Sequence, residues 1–359
     1  MKRRNLKRTL LAAALAGCVS AGAMAADLAP LPEPKFNKAQ AELGRYLFFD
    51  ERMSGDAALS CATCHDPKKG WSDGMPLSKG YPASEYFRNS PTVLNSAFKK
   101  RFMWDGRLDG SDMGTLVRDM ITEAHTMNMD SRLMQERVKQ IPEYVELWHK
   151  FRKDDPNGMR IYGVIGEFVK SVVSNNAPID RFLKGDQSAL NATQREGYEL
   201  FKGKANCVSC HNGPLGSDGM LHRTGVPENP AITAEPLRHI TILRHYSTSG
   251  MPNYMHTHTD VGFYAISKNP KDKGKFATPS LRDLKYTAPY MHNGMFKTLD
   301  EVVDFYSKGG GAGSEIKPLN LSDSEKRALV AFLESLSGEP VIVEKPKLPA
   351  YKARAFGKN

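Results

Sequence analysis

Cysteine is scarce in this 359-residue chain. There are five, and four fall in two short patterns, Cys61-Ala-Thr-Cys64-His65 and Cys207-Val-Ser-Cys210-His211, which leaves too few for a disulfide-stapled scaffold. Long apolar runs are missing as well. The stretch from Leu10 to Ala16 is too short to span a bilayer and stay there. No strand-rich segment competes with the helical periodicities. A strong excess of one charge is also absent, which leaves nucleic-acid binding without support. The formal charge is +10, but Lys2, Arg3, Arg4, Lys7 and Arg8 all lie in the first 25 residues, so discounting them leaves +5. A remainder that mild reads as a solvated surface.

Those five cations, the short apolar run and Ala23-Met24-Ala25 have the order of a secretory signal, residues 1–25, cleaved after Ala25. Leu15-Ala16-Gly17-Cys18 also resembles a lipobox, and processing there would leave a lipid anchor on Cys18. Cleavage after Ala25 is the preferred reading. It removes the fifth cysteine and places the mature protein in the periplasm.

Two thiols two residues apart, followed directly by histidine, suit covalent haem attachment. The thiols form thioethers to the porphyrin vinyls, and the imidazole becomes the proximal iron ligand. Zinc shared between Cys-x-x-Cys pairs normally has them closer in sequence and gives no reason for a histidine after each. A thioredoxin-like pair would sit at a strand-to-helix turn, which neither motif does. The expectation is two covalently bound haem c groups, held by Cys61, Cys64 and His65 and by Cys207, Cys210 and His211.

A helix is expected to open at Asn37, with Gln40 in a capping box and Leu43, Tyr46 and Leu47 facing inward. The second motif is approached in the same way, with Thr193 and Glu196 as the expected box and Gly197 to Phe201 echoing Gly44 to Phe48. Ser90-Pro91-Thr92 precedes Gly106 as Thr278-Pro279-Ser280 precedes Gly294, with fifteen residues from proline to glycine in each half. Such a register points to one unit used twice. Between the halves, helical periodicity covers Met134 to Phe151, broken at Pro142, and Ile161 to Val173, with Pro178 to Gly185 connecting. A last helix is expected from the Ser322 cap to Gly338. The fold class is therefore mostly α, with two cytochrome c-like haem domains related by an internal repeat. The expected boundaries are 26–185 and 186–345, with a basic tail at 346–359 that wraps or stays loose.

Together with the two haem motifs, Arg88 to Thr92, Phe102 to Arg107, Asp180 to Gly185 and Thr287 to Gly294 resemble the bacterial dihaem cytochrome c peroxidase and MauG superfamily over nearly the whole mature chain. The resemblance implies hydrogen peroxide as oxidant, a tryptophan between the haems and a calcium site. Trp104 matches the inter-haem tryptophan, and Asn89, Thr287 and Pro289 match the calcium positions, the latter two through backbone carbonyls. An ordinary core tryptophan and ordinary turn residues are the plain alternatives. By the same resemblance, the iron held by His65 meets peroxide and that held by His211 passes electrons. A regulatory histidine of many relatives would fall near Tyr81, where there is none, which leaves the first iron open.

For the distal acid and base, the resemblance points about twenty residues past the tryptophan. Glu123 lies nineteen past it, and His125 competes. Classical peroxidases place a methionine on the second iron fourteen residues after the histidine matching His292. Here that position is Tyr306, as in MauG-type enzymes, with Met291, Met295 and Met251 at the wrong offsets. A phenolate there favours high-valent iron. The tryptophan that MauG uses for surface hopping would stand at Ala205. The function expected first is therefore a periplasmic dihaem enzyme that uses peroxide to form a high-valent state and oxidise a partner protein. Its alternatives are a cytochrome c peroxidase fed by a small redox protein and a purely electron-carrying dihaem cytochrome. His256 and His258 read as an exposed loop.

Overall fold

The computed structural model describes residues 27–82 and 84–352. The expected signal 1–25, the lipobox cysteine Cys18 and the tail residues 353–359 lie outside the described residues.

Asn37 caps the first helix, α1 (Lys38–Phe49), by accepting from the Gln40 amide at 3.1 Å. Leu43 and Leu47 are fully buried on its inner face, as the periodicity predicts. The first motif occupies a single turn, α2 (Cys61–Cys64), opened by the Ser60 amide donating to the Thr63 hydroxyl at 3.0 Å. α3 (Met113–Thr122), α4 (Ser131–Lys139), α5 (Pro142–His149) and α6 (Gly158–Ser171) complete the first half. Pro142 separates α4 from α5 as expected, because proline cannot continue a helix from within. α7 (Pro178–Leu183) leads to α8 (Ala192–Lys202), followed past the second motif by α9 (Ala231–Ala234), α10 (Pro236–Thr248), α11 (Tyr264–Ser267), α12 (Leu299–Ser307) and α13 (Asp323–Glu334).

Two details differ from the sequence reading. The cap of α8 is Asn191, not Thr193: Asn191 Oδ1 accepts from the Gln194 amide at 2.9 Å, and Gln194 Oε1 accepts from the Asn191 amide at 3.0 Å. α13 ends at Glu334 rather than near Gly338, because the Ser335 amide closes back on Ala331 and Phe332 and the last turn tightens.

Sheet is confined to two short antiparallel ribbons among the described residues, so the expected mostly helical class holds. β1 (Arg101–Phe102) pairs with β2 (Leu108–Asp109), and the tip between them, 103–107, carries Trp104. β3 (Leu221–His222) pairs with β4 (Phe276–Ala277).

The repeated unit has a physical basis in its glycines. In the first half α1 crosses α6 at Gly44, where an added Cβ would stand 2.3 Å from the Val164 carbonyl oxygen. In the second, α8 crosses α13 at Gly197, where it would stand 2.0 Å from that of Ala328. Helix backbones this close tolerate no side chain between them.

The apolar interior forms one cluster from α1 to Val172 and another from Ala177 to Leu336. A third joins Leu77 and Phe87 of the first half to Ile242 and Tyr246 of α10. The chain ends cross over. Leu28, at the start, packs in the second cluster, with the Gly213 amide donating to the Asp27 carbonyl at 3.0 Å. Val341 and Val343, near the end, pack against the first. The described segment 341–352 therefore wraps: Arg52 donates to the Pro349 carbonyl at 2.8 Å, and Lys345 pairs with Glu51 at 2.6 Å.

Candidate dihaem site

Both Cys-x-x-Cys-His motifs open on one continuous cavity of about 450 Å³, which lies between the halves and runs past Trp104. Apolar walls from Phe48, Met113, Met127, Leu299, Val303 and Leu329 give it the character of a cofactor site. Cys61, Cys64, Cys207 and Cys210 are free thiols. Burial pushes Cys61 and Cys207 up to about 12, which keeps both as neutral thiols.

The two histidines are held alike. Nδ1 of His65 lies 3.2 Å from the Trp71 carbonyl, and Nδ1 of His211 lies 2.8 Å from the Gly216 carbonyl. A carbonyl can only accept, so Nδ1 carries the hydrogen and Nε2 keeps its lone pair for a metal. Burial lowers His65 to about 4 and lowers His211 as well, which keeps both imidazoles neutral. Lys99, Lys100 and Arg101 line the same cavity. Burial pulls the Lys99 ammonium down to about 8, and it donates to the Thr92 carbonyl at 2.9 Å. Cations here fit the ionised propionates of haem. The donor set, neutral histidines and paired thiols on an apolar void, fits two haem c groups.

Trp104 is the only one of the three tryptophans that lines the cavity, since Trp71 and Trp148 are fully buried in the first cluster. Its indole donates to the Asn89 carbonyl at 2.9 Å, and its own carbonyl accepts from the Ala277 amide at 2.8 Å. Next to it, Asp105 is fully buried and bonded to Arg88 at 2.6 Å and to Arg107 at 2.9 Å. Burial opposes ionisation, but Arg88 and then Arg107 outweigh it and hold Asp105 well below the usual carboxylate range. Arg88 also grips Asp260 through two bonds of 2.6 and 2.8 Å, tying the tryptophan loop to the second half.

The calcium-matching residues Asn89, Thr287 and Pro289 all line this cavity. Asn89 spends its amide nitrogen on the Met75 carbonyl at 2.7 Å, which turns its oxygen toward other partners.

The structure separates Glu123 from His125. Glu123 is the C-cap of α3, its backbone turns to φ −62° and ψ 129°, and its side chain, 39% exposed, is not part of the cavity wall. His125 is buried on that wall, stacked on Tyr86 with ring centroids 5.3 Å apart. Its Nδ1 has no hydrogen-bond partner and lies 3.8 Å from the Glu123 carboxylate. Burial, with the charges of His245 and Arg107, lowers His125 to about 3. The loop at Tyr81, where relatives carry a regulatory histidine and this chain has none, meets His125 through its backbone, the Tyr81 amide donating to the His125 carbonyl at 3.3 Å.

On the other side, Tyr306 projects from α12 into the cavity beside the second motif. Burial pushes its phenol up to about 12 against the pull of the Thr224 hydroxyl, and the Cys207 and Cys210 sulfurs add to the rise. Met291 shares the cavity wall, Met251 is buried in the third cluster, and Met295 is not on the wall. Ala205 is buried. His256 and His258 are exposed as expected, with His258 Nδ1 2.8 Å from Nε2 of His239. Cys210, Asp218 and His222 bring ligand atoms within 4.8 Å, but thioether formation at Cys210 would use up the sulfur.

Sequence reasoning missed Tyr86, His245 and Lys99. The Lys99-Lys100-Arg101 run was the available signal, a run of cations directly ahead of the tryptophan hairpin.

The comparisons agree with this geometry. The family model described as di-haem cytochrome c peroxidase matches residues 38–188. A cytochrome-c peroxidase IdrP2 of Denitromonas iodatirespirans is 69% identical over 96% of this chain and 94% of its own. A methylamine utilization protein MauG of Methylorubrum extorquens is 36% identical over 89% and 85%. Among solved structures, a MauG-like protein associated with microbial copper homeostasis superposes with a TM-score of 0.74 at 26% identity, covering 88% of this chain and 97% of that one. The two-haem cavity and these relatives together establish that the chain belongs to the di-haem cytochrome c peroxidase and MauG family, an oxidoreductase family of two haem c groups.

Proposed function

We propose that this chain is a periplasmic cytochrome c peroxidase that reduces hydrogen peroxide with electrons from a small redox protein. The observation that carries this reading is the position of His125, a buried neutral imidazole on the cavity wall of the first motif whose Nδ1 has no hydrogen-bond partner. The near relative named cytochrome-c peroxidase supports the same choice.

A haem held by Cys61, Cys64 and His65 would supply an iron able to accept the two oxidising equivalents of peroxide. His65, oriented through Nδ1, would offer Nε2 as its ligand atom. His125, neutral at pH 7, accepts a proton from the inner peroxide oxygen and returns it to the outer one, which leaves as water. Two electrons and two further protons complete the reduction to a second water. Trp104 stands on the path between the two motifs, and Cys207, Cys210 and His211 would hold the second haem, which would supply an entry point for the donor's electrons. A calcium ion held by Asn89, Thr287 and Pro289 belongs to this proposal, with neutral oxygen donors suited to a hard cation.

A second reading, oxidation of a partner protein in the manner of MauG, is favoured by Tyr306 beside the second motif. Ala205, buried where a surface-hopping indole would stand, supports the first reading instead.

The test is peroxide-dependent oxidation of a reduced small c-type cytochrome by the holoenzyme. Multiple turnovers with two donor equivalents per peroxide are expected. Rapid reaction with peroxide but no donor turnover would overturn the peroxidase reading in favour of the second.

A further inference from the structure

Trp71 occupies an unusual conformation for its type. Its φ is +60°, in the left-handed region that large side chains avoid, yet its ring is fully buried against Phe48 and Phe168. The conformation aims the Trp71 carbonyl at Nδ1 of His65, 3.2 Å away, and the same oxygen accepts from the Val93 amide at 3.3 Å. The second motif reaches the equivalent geometry with Gly216, also at φ +60°, a residue for which that region is free.

Local backbone bonds hold the turn, the Trp71 amide donating to the Asp66 carbonyl at 2.9 Å, and a further contact comes from the other end of the chain. The Trp71 indole Nε1 donates to the Val341 carbonyl at 2.7 Å. Val341 begins a strap, 341–352, that leaves the second half and lies on the first. It is fixed by Val341 and Val343 in the first cluster, by Lys345 to Glu51, by Arg52 to the Pro349 carbonyl, and by the Lys352 amide to the Gln140 carbonyl at 3.1 Å.

We propose that Trp71 is a positioning residue for His65, and that the C-terminal strap sets the properties of the first haem by pinning Trp71. The proposal rests on the reading of His65 as that haem's ligand. A carbonyl held firmly on Nδ1–H makes the imidazole a stronger donor and favours ferric iron; a loosened one weakens the donor and raises the potential. The two halves thus differ in control. Both histidines are held by a local turn, but only the first turn carries a side chain anchored to the strap.

The experiment is a spectroelectrochemical titration of the holoenzyme, with the second haem as internal reference. Trp71→Phe keeps an aromatic ring against Phe48 and Phe168 and removes the indole donor together with part of the ring volume. It is expected to shift the first haem about tenfold toward the ferrous form, ~59 mV upward for a one-electron couple, and to leave the second haem in place. A chain ending at Gly338 should give the same shift, and adding Trp71→Phe to it should give no more. An unchanged first-haem potential in Trp71→Phe, or an equal shift of both haems, would overturn the proposal. His65→Ala must remove the first-haem couple; if it does not, the ligand reading has failed rather than the coupling to the strap.

Discussion

The indole N–H of Trp104 donates to the backbone carbonyl of Asn89 at 2.9 Å, so the residue between the two haem motifs and the residue matched to calcium share one hydrogen bond. Trp104→Phe is expected to retain both haems and to lose about 0.5–1.5 kcal/mol in denaturant unfolding. It should also slow charge sharing between the haems, followed by rapid-freeze EPR after peroxide. Unchanged kinetics would leave Trp104 as a packing residue.

His125→Ala should lower the second-order rate of the holoenzyme with peroxide by roughly 10²–10⁴-fold in stopped-flow absorbance, the usual contribution of a positioned proton-transfer group. Glu123→Gln should leave that rate nearly unchanged, because its half-exposed carboxylate stands off the cavity wall. The reverse ranking would assign the proton transfer to Glu123.

Tyr306→Met replaces a hard oxygen with a thioether beside the second motif and should raise the reduction potential of that haem. Donor-linked turnover should survive. An unaltered potential and spectrum of the second haem would show that the phenol only packs in the cavity wall.

Gly197→Ala sets a methyl group 2.0 Å from the Ala328 carbonyl oxygen, where backbone rather than a flexible side chain must move. A loss of about 1–3 kcal/mol is expected, read as a lower thermal midpoint. Gly44→Ala should act alike in the first half, through the Val164 carbonyl.

Glu228 gives a pH dependence with a definite sign. Burial, then the nearby Asp260, raises it from 4.5 to about 7. The folded protein therefore holds its proton more tightly than the unfolded chain does. The group favours the fold most fully below pH 4.5, and that contribution is lost as pH rises through about 7. Glu228→Gln keeps an acceptor for the Asp260 amide and should raise the thermal midpoint at pH 8 but not at pH 4.5. An equal gain at both would exclude titration as the cause.

Local chemistry was legible in the sequence. The Asn37 and Ser322 caps were readable because each depends on residues within one turn. The glycine echo was readable too, although only the packing shows that Gly44 and Gly197 serve helix crossings. α10 was not read as a helix. It buries Arg238 and His245 along with Ile242 and Tyr246, so its inner face looks half polar until Glu85 and Asp105 are seen opposite. The separation of His125 from Glu123 depends on the turn of the backbone at the end of α3, a change of direction that offset counting does not register.

The crossed chain ends make the two halves inseparable pieces. A cut near residue 185 would leave the first fragment carrying Leu28, which belongs to the second cluster, and the second carrying Val341 and Val343, which belong to the first. Each fragment would hold the other's closing segment and lack its own. Synthesis therefore has to reach the strap before the first cluster is complete, so the earlier half is finished last.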